Sequence, residues 1–190
     1  MLKVLKATQR AGLLALTGTL FLGCHSSSNP PATQSETQPQ PQPQAQVLPH
    51  AHIFPEVSAA QGDIDAALKT AAAEHKRVLL DFGGDWCPDC QVLNVYFHRP
   101  ENQPLLDQNF VVVEVNVGRH IDENLALGAK YGVDLKKGVP ALAVVSAKNK
   151  VIYGQSGGQF SNMRRMEPSS VHDFLDQWKP GRTAAGAAGE

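Results

Sequence analysis

Two cysteines, Cys87 and Cys90, are separated by the dipeptide Pro88-Asp89 and preceded directly by Trp86. Cysteines at this spacing close a small disulfide ring, and a thiolate at the first position can attack a second disulfide. The segment stands where a strand-like run gives way to a helical pattern, and the dipole and N–H groups of a helix start stabilise a thiolate. We expect Cys87 to be an exposed nucleophile and Cys90, one turn further in, to be a more buried resolving thiol.

The same spacing is compatible with a structural disulfide or with half of a zinc site. A second Cys pair is missing, and the seven histidines are scattered without a helical two-ligand spacing. We therefore predict no metal site and no cofactor. The formal net charge of −1 is not typical of nucleic-acid binding, and removing residues 1–23 would take away three basic residues and no acidic one.

The third cysteine, Cys24, follows a segment that is typical of an export signal. Residues 1–23 combine a basic start with an apolar run too short to span a bilayer. The letters Leu20 to Cys24 resemble a bacterial lipoprotein box, which predicts a lipid on Cys24. An ordinary signal peptide with Cys24 in its apolar tail is the alternative, and both interpretations export the protein.

Composition divides the remainder of the chain. Residues 24–50 are rich in Pro, Gln and Ser, which cannot bury enough apolar surface to fold and which predict a linker behind the lipid. Residues 51–179 alternate between helical and strand patterns and predict one domain, followed by a disordered tail at 180–190.

The order of these patterns indicates the fold class. In chain order, the predicted elements are helix 63–75 with Asp63 as its cap, strand 77–82, helix 87–98, a short helix 104–108, strand 110–117, helix 121–131, strands 141–146 and 151–154, and helix 169–179. Strands that alternate with helices and end in a hairpin predict an α/β domain with a mixed central sheet and helices on both faces.

The sequence resembles the thioredoxin superfamily over residues 63–179 or so. The resemblance is carried by strand 78–82, by the turn from Asp85 to Cys90, and by the segment Gly138-Val139-Pro140. Residues 99–104, inserted before the next strand, are more similar to periplasmic thioredoxin-like proteins, including the carboxy-terminal domain of the transmembrane disulfide reductase. The resemblance implies the thioredoxin fold.

The resemblance also assigns roles outside the cysteine pair. It implies a cis bond at Val139-Pro140 opposite the disulfide, although most such bonds are trans. It makes Asp81 the buried proton acceptor for Cys90, the alternative being a residue that merely ends a strand. Gly157 and Gly158 would fall in the loop that lines the substrate groove.

Charge near the dithiol bears on the direction of electron flow. Asp85 and Asp89 flank the nucleophile, and negative charge beside a thiolate disfavours it, which predicts a reductant. Glu114 aligns where ordinary thioredoxin has a lysine, so we expect it opposite Asp81 and predict that one of the two carboxyls binds its proton more tightly. Arg164 and Arg165 form either a contact for an acidic partner or a solvated basic face.

Together these features predict a thiol-disulfide oxidoreductase of the bacterial periplasm, held to a membrane by the lipid on Cys24. Its partners would be disulfide-containing proteins or small disulfides, with the transmembrane disulfide reductase as electron donor and no nucleic acid. The residue after Cys24 is not aspartate, which favours the outer membrane over the inner. The rival interpretations are a non-catalytic binding lipoprotein and a copper-delivery protein.

Overall fold

A computed structural model describes residues 51–181 of the 190-residue chain. The predicted signal 1–23, Cys24 with the linker to residue 50, and tail residues 182–190 lie outside the described residues. The helices are α1 (Ala60–Glu74), α2 (Pro88–Phe97), α3 (Gln103–Asn109), α4 (Leu125–Lys130) and α5 (Ser169–Trp178), and the strands are β1 (Arg77–Gly83), β2 (Phe110–Asn116), β3 (Ala141–Val145) and β4 (Val151–Gly154). Short 3-10 helices occupy Val57–Ala59, Leu135–Lys137 and Met163–Arg165.

The four strands form one mixed sheet in the order β2-β1-β3-β4. β1 pairs in parallel with β2 and antiparallel with β3, and β4 closes the hairpin with β3. All residues of β1 and β3 are buried, as expected for central strands that are covered on both faces. The predicted α/β architecture is therefore confirmed.

Alternation along the strands sends neighbouring side chains to opposite faces of the sheet. Val78, Leu80 and Phe82 pack with the apolar side of α1, whereas Leu79 packs with α2 and α5. Asp81 lies two residues after Leu79 and shares its face, so the sequence of β1 places this carboxyl on the side of the sheet that carries the cysteine helix.

Two helix starts differ from the sequence prediction by more than one residue. Helix α1 begins at Ala60 after Ala59 as its N-cap, so Asp63 lies within the first turn and is not the cap. Residues 121–124 precede α4 instead of forming its first turn, because Ile121 and Asn124 adopt positive φ angles of 56° and 52°. The Asn124 amide donates to the carbonyls of Val57 and Asn116 at 3.0 and 2.8 Å, which holds this turn in place. Across residues 51–181, no helix has the length and apolarity needed to cross a membrane.

Candidate dithiol active site

The dithiol lies where β1 turns into α2. Cys87 is the N-cap of α2, Pro88 is its first residue, and Cys87 and Cys90 are joined as a disulfide. Proline suits this position because its ring fixes a helical φ and the missing N–H would have no partner in the first turn. The Cys90 N–H donates to the Cys87 Sγ at 3.2 Å, which shows that the helix start is directed at this sulfur.

The expected exposure of Cys87 is wrong. The residue is only 4% exposed, against 1% for Cys90, so both are buried although their order is as predicted. The cause is the loop before β3: the Cys87 Sγ lies 3.6 Å from the carbonyl oxygen of Val139, and the Val139–Pro140 peptide bond is cis. The cis geometry and the position opposite the disulfide agree with the resemblance.

Gln155, which no sequence motif singles out, holds the loop that leads into β3 through Val139 and the cis Pro140, called the cis-proline loop below. This side chain is 1% exposed, its Nε2 donates to the Pro140 carbonyl at 3.2 Å, and its Oε1 accepts from the Leu142 N–H at 3.2 Å. A buried amide that bonds an acceptor before Ala141 and a donor after it fixes the path of the backbone from the cis proline into β3. The available signal was a polar residue that directly follows the hairpin strand β4.

Gly157 and Gly158 differ in how the loop constrains them. Gly158 has a φ of 71°, and a Cβ there would stand 2.7 Å from the carbonyl oxygen of Lys137, two residues before Val139. Gly157 is exposed, and a Cβ there would meet only the Gln159 side chain at 3.5 Å. Gly158 therefore allows the close approach to the cis-proline loop, whereas Gly157 has no such constraint.

The carboxylate of the turn residue Asp85 binds residues 52–54, which precede the first helix. Its Oδ1 accepts the N–H groups of Ile53 and Phe54 at 2.8 and 3.0 Å, and its Oδ2 lies 2.6 Å from the Nδ1 of His52. Burial raises the pKa of Asp85, but the two N–H bonds and His52 outweigh it, so the net pKa is lowered. Gln91 reinforces this arrangement, since its Nε2 donates to the backbone carbonyl of Asp85 at 3.1 Å.

Phe54, the last residue of this segment, packs in the hydrophobic core together with the two cysteines. It is 1% exposed, and a Cβ on Gly83 would stand 2.6 Å from its ring and 2.8 Å from the Cys90 Sγ. Gly83 thus leaves room for both groups. Trp86 lies on the other side of the turn and donates from its Nε1 to the Gly118 carbonyl at 3.1 Å.

Asp89, between the cysteines, is paired with Arg164. Its Oδ1 accepts from the backbone N–H and from the Nε of Arg164 at 2.9 and 3.2 Å, and its Oδ2 lies 3.2 Å from the Nη2. Neither predicted role for Arg164 anticipated this contact, and the neighbouring Arg165 is exposed. Asp85 and Asp89 are therefore bonded carboxylates, which weakens the argument that their charge disfavours a Cys87 thiolate.

Asp81 and Glu114 face each other across β1 and β2, as expected, and a side-chain hydrogen bond joins them. Asp81 is 1% exposed, and its Oδ1 and the Glu114 Oε2 are buried without a hydrogen-bond partner. Burial raises the pKa of Asp81 to about 7, against an opposing effect of the bond from Glu114. Burial, repulsion by Asp81 and the shared bond raise the pKa of Glu114 well above its usual value. At neutral pH the pair therefore retains a proton that exposed carboxyls would have lost.

Among residues 51–181, the cysteine pair has no neighbouring set of metal-ligating side chains. In the part of the chain that the structure describes, no group of three or more His, Cys, Asp or Glu side chains is arranged to hold a metal ion.

A dithiol at the start of a helix, on a mixed four-stranded sheet and opposite a cis proline, defines a thioredoxin-fold protein. The chain belongs to the thioredoxin-like family, whose family model, described as thioredoxin-like, matches residues 59–147. The crystal structure of a disulphide isomerase from Xylella fastidiosa Temecula1 is 34% identical, with a TM-score of 0.62 over 67% of this chain and 96% of that one.

Longer relatives contain this domain as one part. The thiol:disulfide interchange proteins DsbD of two Neisseria meningitidis strains are 27% identical over 129 residues, which is 66% of this chain and 19% of each relative. The chain thus spans about a fifth of the length of these relatives. The oxidised carboxy-terminal domain of the Neisseria meningitidis DsbD superposes with a TM-score of 0.42 at 24% identity, over 66% of this chain and 96% of that domain.

Proposed function

We propose that this chain is an exported thiol-disulfide oxidoreductase that reduces disulfides of proteins or small molecules through Cys87 and Cys90. The proposal rests mainly on one observation: the two cysteines form a disulfide at the start of α2, with the Cys87 sulfur 3.6 Å from the carbonyl of Val139 beside the cis proline. A substrate chain laid against this loop would bring its disulfide to Cys87.

The reaction proceeds by two exchanges. The Cys87 thiolate attacks one sulfur of the substrate disulfide, which releases the first substrate thiolate and forms a mixed disulfide. Cys90 then loses its proton and attacks the Cys87 sulfur, which releases the second substrate thiolate and leaves the Cys87–Cys90 disulfide. Two electrons pass from the dithiol to the substrate, and a dithiol donor must restore the reduced form.

Asp81 accepts the proton that Cys90 loses in the second step. Its burial and its pKa of about 7 support this role, because a base titrating near the working pH both takes up and returns a proton readily. Glu114 shares that proton through the bond across the two strands. Trp86, Pro88, Asp89 and Val139-Pro140 surround the dithiol, and Gly157-Gly158 borders the groove.

The proposed direction is reduction. The hydrogen bonds and ion pairs of Asp85 and Asp89 weaken the first argument for it. The buried Asp81–Glu114 pair provides another, because the negative charge that it gains once Asp81 ionises, at a pKa of about 7, makes thiolates less favourable. A reduction potential near −120 mV, as in a strong periplasmic oxidant, would contradict this direction. A potential below about −200 mV would support it.

Export and anchoring complete the proposal. Residues 1–23 direct the chain to the periplasm, a lipid on Cys24 holds it to a membrane, preferably the outer one, and residues 24–50 link the anchor to the domain. A transmembrane disulfide reductase supplies electrons, in keeping with the similarity to part of the thiol:disulfide interchange proteins. A Cys24→Ser variant tests the anchor: it should leave the membrane fraction, whereas retention there would refute the lipid.

The central experiment is trapping in the native host. Cys90→Ser prevents the second exchange, so substrates should accumulate as mixed disulfides on Cys87 that reductant dissolves on a gel. The Cys87→Ser/Cys90→Ser variant is the matched control, because it lacks the attacking thiol; far-UV circular dichroism checks its fold. No trapped partner, together with unaltered reduction of insulin by the double variant, would refute the proposal and leave a docking role.

A further inference from the structure

Arg164 contacts the dithiol segment from a distant part of the chain. It lies in the 3-10 helix Met163–Arg165, 75 residues beyond Asp89, and its main chain and guanidinium both bond the Asp89 carboxylate. The Asp89 side chain is 11% exposed and that of Arg164 is 56% exposed. A nearly buried carboxylate between the two cysteines is thus paired with a cation that reaches it from the solvent side.

The loop that carries Arg164 is fixed at several points. Met163 is fully buried, and the Tyr96 hydroxyl of α2 donates to the Met166 carbonyl at 3.3 Å. Earlier in the same loop, Ser161 packs against Gly138, one residue before Val139. Because these contacts hold the backbone independently of the guanidinium, the Arg164 side chain can be removed without releasing the loop from α2.

The charge balance at the start of α2 depends on this pair. An unpaired Asp89 carboxylate in the first turn, next to Cys87, would oppose a thiolate on its sulfur, and a guanidinium that binds it through two nitrogens cancels much of that effect. Other titratable groups near the start of α2 are the Asp85–His52 pair in the turn and the Asp81–Glu114 pair on β1 and β2.

We propose that Arg164 is a positioning residue for the dithiol, which acts by holding Asp89 as a paired carboxylate so that the Cys87 thiolate forms beside a neutralised group. The inference deepens the proposed function and takes from it only that Cys87 is the nucleophile. Arg164 does not touch the reacting sulfurs. Its effect passes through Asp89, and it therefore requires both the charge and the forked geometry of arginine.

The test is the titration of Cys87 in the reduced full-length chain. The rate of alkylation by iodoacetamide is followed on the Cys87 peptide by mass spectrometry between pH 5 and pH 10. Arg164→Ala should lower the thiolate fraction at pH 7 roughly tenfold, because the Asp89 carboxylate then lacks its counter-charge in the first turn of α2. The backbone N–H of residue 164 still bonds Asp89 in this variant, and far-UV circular dichroism checks the fold.

Two matched variants identify the cause. Arg165→Ala removes the adjacent exposed arginine and should change the thiolate fraction less than twofold. Arg164→Lys keeps the charge without the fork and should fall between the wild type and Arg164→Ala. An unchanged titration in Arg164→Ala, or equal effects of Arg164→Ala and Arg165→Ala, would overturn the proposal.

A double-mutant cycle then tests whether Arg164 acts through Asp89. In an Asp89→Asn background the guanidinium loses its anchor and moves into solvent, so adding Arg164→Ala should change the thiolate fraction less than threefold. The same tenfold effect in both backgrounds would show an independent cation and refute the positioning role. The titration needs no substrate, so a shifted Cys87 without trapped partners would refute the proposed function and leave this inference intact.

Discussion

Asp81→Asn should stabilise the oxidised protein at neutral and alkaline pH and have little effect in acid. The buried Asp81 binds its proton up to a pKa of about 7, whereas in the unfolded chain it would titrate near its ordinary value of 3.8. Below pH 3.8 Asp81 is protonated in both the folded and the unfolded protein, so it does not make the free energy of unfolding depend on pH. Asparagine has the same shape without a charge to bury, so it removes any cost of ionisation.

The magnitude follows from linkage. Between pH 3.8 and about 7 the unfolded chain loses this proton while the folded protein keeps it, so the free energy of unfolding falls by about 1.4 kcal/mol per pH unit. Above pH 7 both states are ionised and the accumulated cost stays constant at about 4 kcal/mol. The repulsion that Asp81 exerts on Glu114 disappears in the same variant, which acts in the same direction.

Urea unfolding of both proteins at pH 4 and pH 8, followed by far-UV circular dichroism, measures the difference. We expect near-equal stabilities at pH 4 and an Asp81→Asn variant more stable by about 4 kcal/mol at pH 8. Asp107→Asn, which removes an exposed carboxyl on α3, is the matched control and should not alter the pH dependence. A difference between wild type and Asp81→Asn that is the same at both pH values would refute the reasoning.

Three further substitutions test the surroundings of the dithiol. Glu114→Gln leaves one titrating carboxyl in the sheet, so the alkylation profiles of both cysteines should move to lower pH, and superimposable profiles would contradict the shared proton. Gln155→Ala removes the partner of the Pro140 carbonyl and of the Leu142 N–H and should cost about 3 kcal/mol in urea unfolding, whereas replacing the exposed Gln159 by Ala should cost almost nothing. Gly158→Ala forces a side chain into a left-handed backbone against a carbonyl, so it should slow insulin reduction and lower the unfolding midpoint, and Gly157→Ala should reproduce neither effect.

Local patterns were sufficient to predict the dithiol and most of the sheet. Cys87 and Cys90 are close along the chain. The apolar runs at residues 78–80 of β1 and throughout β3 are typical of covered strands, so short windows carry the information. Glu114 was placed opposite Asp81 because strand alignment with the thioredoxin superfamily fixes the register. The burial of Cys87 was missed because the Val139 carbonyl that covers it comes from a loop 52 residues away.

Most of the unpredicted features depend on contacts between segments that are distant in the sequence. Nothing local to Asp85 indicates that the N–H groups of Ile53 and Phe54 will bond it, since 31 residues separate Phe54 from Asp85. The start of α4 was misplaced for a related reason: Asn124 bonds two backbone carbonyls outside its own segment, and these bonds favour a turn where apolar spacing predicts a helix.

The four acids around the dithiol contribute differently once their partners are known. Asp85 and Asp89 stand beside Cys87 in the sequence, but N–H groups, His52 and Arg164 bind their carboxylates and reduce their effect on the sulfur. Asp81 and Glu114 are more distant from Cys87 in the sequence, yet each has a buried oxygen without a hydrogen-bond partner. Any charge that this sheet pair gains above pH 7 is buried and poorly screened, so we expect it to oppose a negative charge on the thiols at the start of α2. Under the proposed reducing function, we therefore expect Asp81→Asn to raise the reduction potential of the Cys87–Cys90 pair, measured against glutathione above pH 7, more than Asp85→Asn does.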